Sequence, residues 1–121
     1  MMIDHFEIKV IKFELCVEFY SLVLSPLSIE RKWDDRFAAG FGLTSEPKTR
    51  FLIEKSQSNS KTHIAFSAST KASVNSFHSI GLLNGYTCNG LPRLRKNYAP
   101  NYFAAFLLDP DGNNIEAVVY L

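Results

Sequence analysis

The sequence has 121 residues, of which 46% are hydrophobic and 21% are charged, with a formal net charge of +1 at pH 7. This length suits one domain with a substantial core, and the composition is that of a soluble globular protein. The balanced charge gives no electrostatic reason to expect nucleic acid or an acidic membrane as a partner. Ten Phe and five Tyr residues supply aromatic surface for a core or for a ligand pocket.

The N-terminal residues and the two cysteines bear on location. The start "MMIDHFEIKV" reaches Asp4 and His5 without the basic and apolar regions of a signal peptide. No apolar run approaches the roughly eighteen residues that a membrane span requires. Cys16 and Cys88 do not have the spacing of a metal site, and Cys16 is predicted to be a buried structural thiol. These features predict a cytoplasmic, reducing compartment.

Two strand patterns with a leading histidine open the two halves of the chain. Residues 3–10 and 61–68 each alternate between apolar and polar side chains, which is typical of a strand with one buried face. A shift of 58 residues places His5 on His63 and keeps the apolar positions in phase. The apolar set contains Phe6, Ile8 and Val10 in the first strand, and Ile64, Phe66 and Ala68 in the second.

The same shift relates two amphipathic helical patterns. Residues 12–24 and 70–83 carry apolar side chains at helical spacing. Ser69 or Thr70 is a suitable N-cap for the second helix, and Gly85 follows its end. Several matches in one register indicate a duplicated β-α unit.

Three short strand patterns follow each helix, so that each half reads β-α-β-β-β. Pro and Gly at the second and fourth positions of "DPDG" fit a type I β-turn between the last two strands. The pattern predicts one domain, residues 1–121, built from module 1 (about 1–58) and module 2 (about 59–121). The predicted strands after the helices are 28–33, 36–43 and 49–55 in module 1, and 86–89, 102–109 and 113–120 in module 2.

The predicted fold class is α+β, with two tandem βαβββ modules forming a cup-shaped mixed sheet and helices on its outer face. Neither module alone buries both faces of its sheet, so the two sheets are expected to meet. Alternation then places His5 and His63 inside the cup, while their apolar neighbours pack on the helices. Glu116 and Glu54 each close a module within "IE" and point away from the apolar face of the strand.

Two imidazoles and one or two carboxylates converging in a cup would form a site for a divalent metal ion. Nitrogen and oxygen donors suit Zn, Fe(II), Ni, Co or Mn, and the charge of the ion would compensate a buried Glu116. Each of these residues taken alone is commonly a solvated surface residue. Their equivalent positions in a duplicated unit favour a metal or ligand site.

The chain contains the segments "DHFEIKV", "CVEFYSLVLSPL", "THIAFSA", "FHSIGLLNG" and "YFAAFLLDPDGNNIEAV", of which the last is the most specific. In these segments it resembles the vicinal oxygen chelate superfamily, which includes glyoxalase I, bleomycin-resistance proteins, fosfomycin-resistance enzymes and extradiol dioxygenases. The likeness extends over essentially the whole chain. It implies paired βαβββ modules around a divalent metal ion, with His5, His63 and Glu116 as ligands.

The resemblance also implies a first candidate reaction. Glu54 falls where glyoxalase I carries an additional glutamate ligand, which favours a lactoylglutathione lyase type of isomerisation. The substrate would be the hemithioacetal of an α-keto aldehyde and a thiol. Glu116 or Glu54 would move the proton between adjacent carbons as general base and then acid.

Four further residues are candidate substrate contacts. Arg95 and Tyr98, in the predicted loop "GLPRLRKNY", match the usual Arg and Tyr positions of small members of the superfamily. Tyr102 begins a strand and is predicted to face the cup, and Trp33 is predicted to be a pocket wall rather than a core residue. His78 is predicted to lie at the surface of the second helix.

Other functions stay open at this point. One is an Fe(II) dioxygenase that uses His5, His63 and Glu116 to cleave a catechol, and another is a thiol or epoxide transferase. A third is a metal-free protein that binds a small molecule such as an antibiotic. In this superfamily the two modules of one site come from one chain or from two, and a homodimer is the favoured expectation. The predicted partner is a small molecule in every case.

Overall fold

The structure is a computed structural model that describes residues 2–121. Two helices and eight strands follow one another in the predicted order, with a short 3-10 helix after the first helix. The elements are β1 (Phe6–Val10), α1 (Phe13–Val23), the 3-10 helix (Ser25–Leu27), β2 (Ile29–Asp34), β3 (Ala38–Leu43), β4 (Phe51–Lys55), β5 (His63–Ser67), α2 (Lys71–Leu83), β6 (Thr87–Leu94), β7 (Tyr102–Leu108) and β8 (Asn114–Tyr120).

The strands form two four-stranded mixed sheets of identical topology. The first sheet has the order β1-β4-β3-β2, and the second has the order β5-β8-β7-β6. In each sheet the first and last strands of the module are parallel, and the remaining pairs are antiparallel. Both sheets are open rather than closed. The predicted α+β fold with two βαβββ modules is therefore confirmed.

The N-cap and the glycine that were predicted at the two ends of α2 are present. The hydroxyl of Thr70 accepts a hydrogen bond from the backbone N–H of Ser73, and the backbone N–H of Thr70 donates to the hydroxyl of Ser73. This reciprocal pair is a capping box. Gly85 follows the helix with a φ of 83°, a backbone conformation that favours glycine. Over the part of the chain that the structure describes, neither helix is long and apolar enough to cross a membrane.

One apolar core joins the two modules. The apolar faces of both sheets and the apolar sides of α1 and α2 contribute to the same cluster of buried residues. Cys16, at 0% exposure, belongs to it, which confirms the predicted buried thiol. The apolar alternates of the strands thus pack toward the helices, as the pattern of residues predicted, and the polar alternates lie on the opposite faces.

The turn between β7 and β8 binds the helix of the other module. Asp109 is only 4% exposed, and its carboxylate accepts from the hydroxyl of Tyr20 at 2.5 Å. It also accepts from the backbone N–H of Asp111 and from both the backbone and the side-chain N–H of Asn113. Since Tyr20 lies on α1, Asp109 connects the two modules through a buried, fully engaged carboxylate.

Asp111, in the same turn, binds the segment that enters α1. Its carboxylate accepts from the backbone N–H of Ile11 at 2.7 Å and of Lys12 at 2.8 Å. Asn59 donates to the same carboxylate. Gly112 closes the turn with a φ of 87° and a hydrogen bond to the Asp109 carbonyl. The "DPDG" segment is therefore a β-turn as predicted, and its side chains also tie module 2 to module 1.

Strand β6 is longer than the sequence predicted, because it continues to Leu94 instead of ending near residue 89. Its pairing with β7 contains two irregularities, on either side of Gly90. β6 is the last strand of its sheet, and an edge strand tolerates both bulges and Pro92. The first half of the predicted loop "GLPRLRKNY" is therefore strand, and only its second half is a turn.

The prediction that His78 lies at the surface is wrong. His78 is 5% exposed, and its Nε2 lies 3.0 Å from the sulfur of Cys88 on β6. Burial lowers the pKa of His78 below its ordinary value, since desolvation disfavours the charged imidazolium. The helical pattern does not reveal this contact because the partner belongs to another element.

Candidate functional site

Glu116 is the centre of the candidate site. Its carboxylate lies on β8, 2% exposed, and accepts hydrogen bonds from two side chains. Nε2 of His63, on the neighbouring strand β5, lies 2.9 Å from Oε1 of Glu116. The hydroxyl of Tyr102, on β7, donates to Oε2. The structure thus brings together one predicted carboxylate ligand, one predicted histidine ligand and one predicted substrate contact.

These three residues lie on the face of the second sheet that points away from α2, which we call the site face. Ile115 and Ala117, the neighbours of Glu116, belong to the shared core on the opposite face. The site face has its own small apolar cluster of Ala104, Phe106 and Val118, with Tyr102 packed against it. This apolar surround and the hydrogen bond to Glu116 raise the pKa of Tyr102, with burial as the larger cause.

Arg95 supplies positive charge beside this carboxylate. Its guanidinium lies 4.7 Å from the ring centre of Phe106, in a cation–π contact. It donates to the carbonyl oxygens of Leu91 and Ala104, which fix its orientation. These contacts leave further N–H groups of the guanidinium for an anionic group of a ligand. Burial lowers the pKa of Arg95, although the guanidinium stays charged at neutral pH.

Tyr98 is more peripheral than Arg95. It lies in the turn after β6, with its side chain 61% exposed, and its ring meets that of Tyr102 at a centroid distance of 5.1 Å. The structure therefore places both Arg95 and Tyr98 at the border of the site face.

The other predicted histidine lies on the first sheet. His5 immediately precedes β1, has an exposed side chain, and has its Nδ1 2.7 Å from the carboxylate of Asp4. The hydrogen bonds from Lys48 and then from His5 lower the pKa of Asp4 to about 2. Nε2 of His5 has no hydrogen-bond partner among the described residues, which leaves it available to a group from outside the chain.

The second module places its histidine and glutamate close together along the strand direction. His63 is paired with Asn114, two residues before Glu116 in the parallel ladder. At about 3.3 Å per residue, this offset is about 7 Å. The side chains of His63 and Glu116, which lie on the same face, are long enough to meet across it.

The first module has a longer offset between its histidine and its glutamate. The N–H of Phe6 bonds to the carbonyl of Arg50, and Phe6 is paired with Phe51. His5 is therefore level with Arg50, and Glu54 lies four residues, or about 13 Å, farther along the strand. The two modules are thus not equivalent at these positions.

Leu52, rather than Glu54, is the counterpart of Glu116 in this register. Leu52 lies two residues beyond Arg50, just as Glu116 lies two residues beyond Asn114. Glu54 is instead paired with Lys9, whose opposite charge lies directly across the ladder. The structure therefore does not place Glu54 beside His5 in the way that Glu116 lies beside His63.

Trp33 also belongs to the first sheet. Its indole N–H donates to the hydroxyl of Thr49 at 3.0 Å, and its ring lies over Gly40, where a Cβ would meet the indole at 2.4 Å. Gly40 is paired with Leu52, so Trp33 faces the same side of the sheet as Leu52 and Glu54. Trp33 is 40% exposed and does not belong to the buried core, and its predicted role as a pocket wall stays a prediction.

A single chain does not assemble the predicted ligand set. Among residues 2–121 there is no group of three His, Cys, Asp or Glu side chains able to hold one metal ion. His63 and Glu116 provide the nitrogen and oxygen donors that borderline divalent metals accept, but two protein ligands are fewer than such sites use. The donor chemistry fits a metal ion, provided that a third ligand comes from outside the chain.

Sequence analysis did not identify Phe106 as a site residue. Its ring lies 6.0 Å from that of His63 and under Arg95, so it forms the floor between them. The signal was the continuous apolar run "YFAAFLL" in β7, in which both faces are apolar. A strand with one solvated face would alternate, so the run indicates a second apolar contact on the site face.

Comparisons with known proteins bear on the fold and family. No protein-family model matches the chain, and no curated protein matches it. Solved structures do match. A glyoxalase/bleomycin resistance protein from Albidiferax ferrireducens is similar with a TM-score of 0.81 and 28% identity, over 98% of each chain.

Two further structures are similar at lower identity. A putative glyoxalase from Bacillus halodurans has a TM-score of 0.72 and 21% identity, over 97% of this chain and 94% of that one. A lactoylglutathione lyase from Agrobacterium tumefaciens has a TM-score of 0.69 and 16% identity, over 96% and 91%. Together with the duplicated βαβββ fold, the likeness to the Albidiferax ferrireducens protein at 28% identity shows that the chain belongs to the vicinal oxygen chelate superfamily, the glyoxalase/bleomycin resistance/dioxygenase group.

Proposed function

We propose that this protein is a metal-dependent enzyme that acts on a small molecule at the site face. The observation that carries the proposal is the buried carboxylate of Glu116, held by Tyr102 and in contact with the accessible imidazole of His63. A buried carboxylate is costly unless a positive or hydrogen-bonding group compensates it, and a divalent ion beside His63 would do so. Tyr102 would keep the carboxylate of Glu116 oriented for the ion.

The third ligand in this proposal is His5 of a second copy of the chain. His5 is exposed, and among the described residues of one chain it does not form a group of three ligands with His63 and Glu116. An isologous dimer would form two such sites, each with His63 and Glu116 from one protomer and His5 from the other. Structural relatives in this superfamily commonly form dimers, which supports the proposal.

The resulting ligand set is two histidines and one carboxylate. The position of Glu54 as an additional ligand favoured the isomerase reaction in the sequence, and the register of β1 and β4 separates Glu54 from His5. Two histidines and one carboxylate with open positions are typical of non-haem Fe(II) oxygenases. We therefore place oxygen-dependent cleavage of a catechol ahead of hemithioacetal isomerisation as the reaction to test.

The residues of the chain would have separate roles in this reaction. A bound ferrous ion would supply the activation of dioxygen and of the adjacent substrate oxygens. Arg95, stacked on Phe106, would bind an anionic group of the substrate, and Phe106 would pack against its ring. Tyr98 would contact the outer end of the substrate. Trp33 would close the opposite side if the first sheet of the partner faces the site.

Metal binding tests the proposal most simply. Purified protein would be titrated with Fe(II), Zn and Ni, and its bound metal measured by mass spectrometry, alongside His63→Ala, Glu116→Gln and Glu54→Gln. Glu7→Gln, which changes an acidic residue on β1 that is not a proposed ligand, is the matched control. We expect about one metal per chain in the wild type, the Glu7 variant and the Glu54 variant, and loss in the other two. A wild type that stays empty with all three metals would overturn the enzyme proposal and favour a metal-free binding protein.

Two activity assays then separate the reactions. Oxygen uptake with a catechol and disappearance of a hemithioacetal would be measured on the same metal-loaded protein. Oxygen uptake abolished by Glu116→Gln supports the dioxygenase, whereas hemithioacetal turnover lost in Glu54→Gln would restore the isomerase. A cytoplasmic location belongs to the same proposal, because it agrees with the two free thiols among the described residues.

A further inference from the structure

A cavity separate from the site face opens between the first strands of the two modules. Its volume is about 350 Å³, within the range of small-molecule pockets. The edge strands β1 and β5 lie on either side of it, and residues 2–4 contribute to its mouth. The residues of the site face, His63, Glu116 and Tyr102, do not line this cavity.

Four phenylalanine rings line the inner wall. Phe6 and Phe51 are stacked at a centroid distance of 5.0 Å, and Phe66 meets the edge of Phe51 at 5.4 Å. Phe41 lies 5.9 Å from Phe51 on the far side, and Ile64 completes the wall. Such a wall accommodates a flat apolar molecule through stacked and edge-on contacts.

The charged groups at the rim neutralise one another. The guanidinium of Arg50 donates to the carboxylate of Glu46 at 2.7 Å and to the backbone carbonyl of Asp4 at 3.0 Å. The carboxylate of Asp4 is in turn bound by Lys48 at 2.6 Å. A charged ligand would break these pairs, whereas an uncharged oxygen atom would accept from a remaining N–H of Arg50.

We propose that this cavity is a binding site for a small uncharged aromatic molecule of about two fused rings, with one hydrogen-bond acceptor directed at Arg50. The size follows from the volume, which is about twice that of an engineered apolar cavity of about 150 Å³ that binds benzene. Its chemical class follows from the phenylalanine wall and from the paired charges at the rim. The lining includes none of the proposed metal ligands, although Asp4 at the rim also contacts His5.

The test uses 1-naphthol, which is uncharged at neutral pH, as a probe in calorimetric titrations of the whole protein. We expect saturable binding that Leu43→Trp, a bulky change in the lining, weakens at least tenfold. Leu15→Trp, the same change on the exposed side of α1, is the matched control and should bind as the wild type does. Doubly charged naphthalene-1,5-disulfonate should bind at least tenfold more weakly than 1-naphthol.

Nuclear magnetic resonance places the probe without any substitution. With methyl-labelled isoleucine, bound 1-naphthol should give intermolecular contacts to Ile64 in the cavity wall and none to Ile115 in the core. Glu116→Gln should leave the affinity unchanged, so a failure of the metal proposal is distinguishable from a failure of this one. Absence of saturable binding, contacts away from Ile64, or equal affinity in Leu43→Trp and Leu15→Trp would each overturn the proposal.

Discussion

His63 and Glu116 meet across two parallel strands, with Nε2 of the histidine 2.9 Å from Oε1 of the glutamate. The side chain of His63 is 55% exposed, whereas that of Glu116 is 2% exposed. The pair therefore combines a desolvated carboxylate with an imidazole that solvent and ligands reach. Hydrogen bonds in such an apolar surround are strong, and an unpaired carboxylate there would be costly.

Removal of the Tyr102 hydroxyl should destabilise the fold. Tyr102→Phe deletes a hydrogen bond to a buried carboxylate, and we expect the free energy of unfolding to fall by about 1.5–3 kcal/mol. Urea denaturation of the metal-free protein measures it.

Tyr120 provides the control for that substitution. Its ring meets Tyr102 edge-on at 5.2 Å, but its side chain is 61% exposed and its hydroxyl makes no hydrogen bond to a described residue. Tyr120→Phe should change the free energy of unfolding by less than about 0.5 kcal/mol. Equal losses in the two variants would contradict the assigned contact between Tyr102 and Glu116.

The contact between Tyr20 and Asp109 should stabilise the association of the modules. Tyr20→Phe removes the buried donor from α1 and is expected to lower the free energy of unfolding by about 1.5–3 kcal/mol. Tyr86→Phe is the control, since Tyr86 also packs on α1 through Phe19 but its hydroxyl has no described partner. Thermal and urea unfolding of both variants measure the difference. If Tyr20→Phe lowers the free energy of unfolding no more than Tyr86→Phe does, the hydrogen bond between Tyr20 and Asp109 does not stabilise the fold.

His78 should make stability depend on pH. Its buried imidazole has a pKa below the ordinary value of 6.5, so the unfolded chain binds the proton more readily than the folded chain. The free energy of unfolding therefore falls as pH decreases through 6.5 and stops falling below the folded pKa. His78→Gln keeps a polar group beside Cys88 without an imidazole to titrate.

Denaturant titrations at pH 7.5, 6.5 and 5.5 would reveal this dependence. We expect the wild type to lose more stability than His78→Gln over this range. The same slope in the wild type and in His78→Gln would contradict the assignment.

Side-chain alternation was readable from the sequence. The apolar partners of Glu116, Ile115 and Ala117, predicted which face the carboxylate occupies, and the structure agrees. This information is local, because successive side chains of a strand point to opposite faces whatever the strand pairs with. The helices were likewise readable from apolar residues at helical spacing, and the two modules from the repeat of both patterns.

Strand register was not readable in this way. A slip of two residues preserves alternation, so the pattern "FLIEK" equally suits Leu52 or Glu54 as the counterpart of Glu116. Only the pairing of β1 with β4 distinguishes the two residues. Likewise, "DPDG" indicated a turn, but the role of Asp109 depends on Tyr20, which lies 89 residues away.

In the proposed metal site, His63 and Glu116 of one protomer and His5 of its partner bind one ion together. The direct measurement is the metal content of a heterodimer of His5→Ala and Glu116→Ala chains, purified through two different affinity tags. We expect about one metal ion per heterodimer, because one site regains all three ligands, and almost none in either variant homodimer. A heterodimer as empty as the two homodimers, beside a wild type that binds metal, would contradict it.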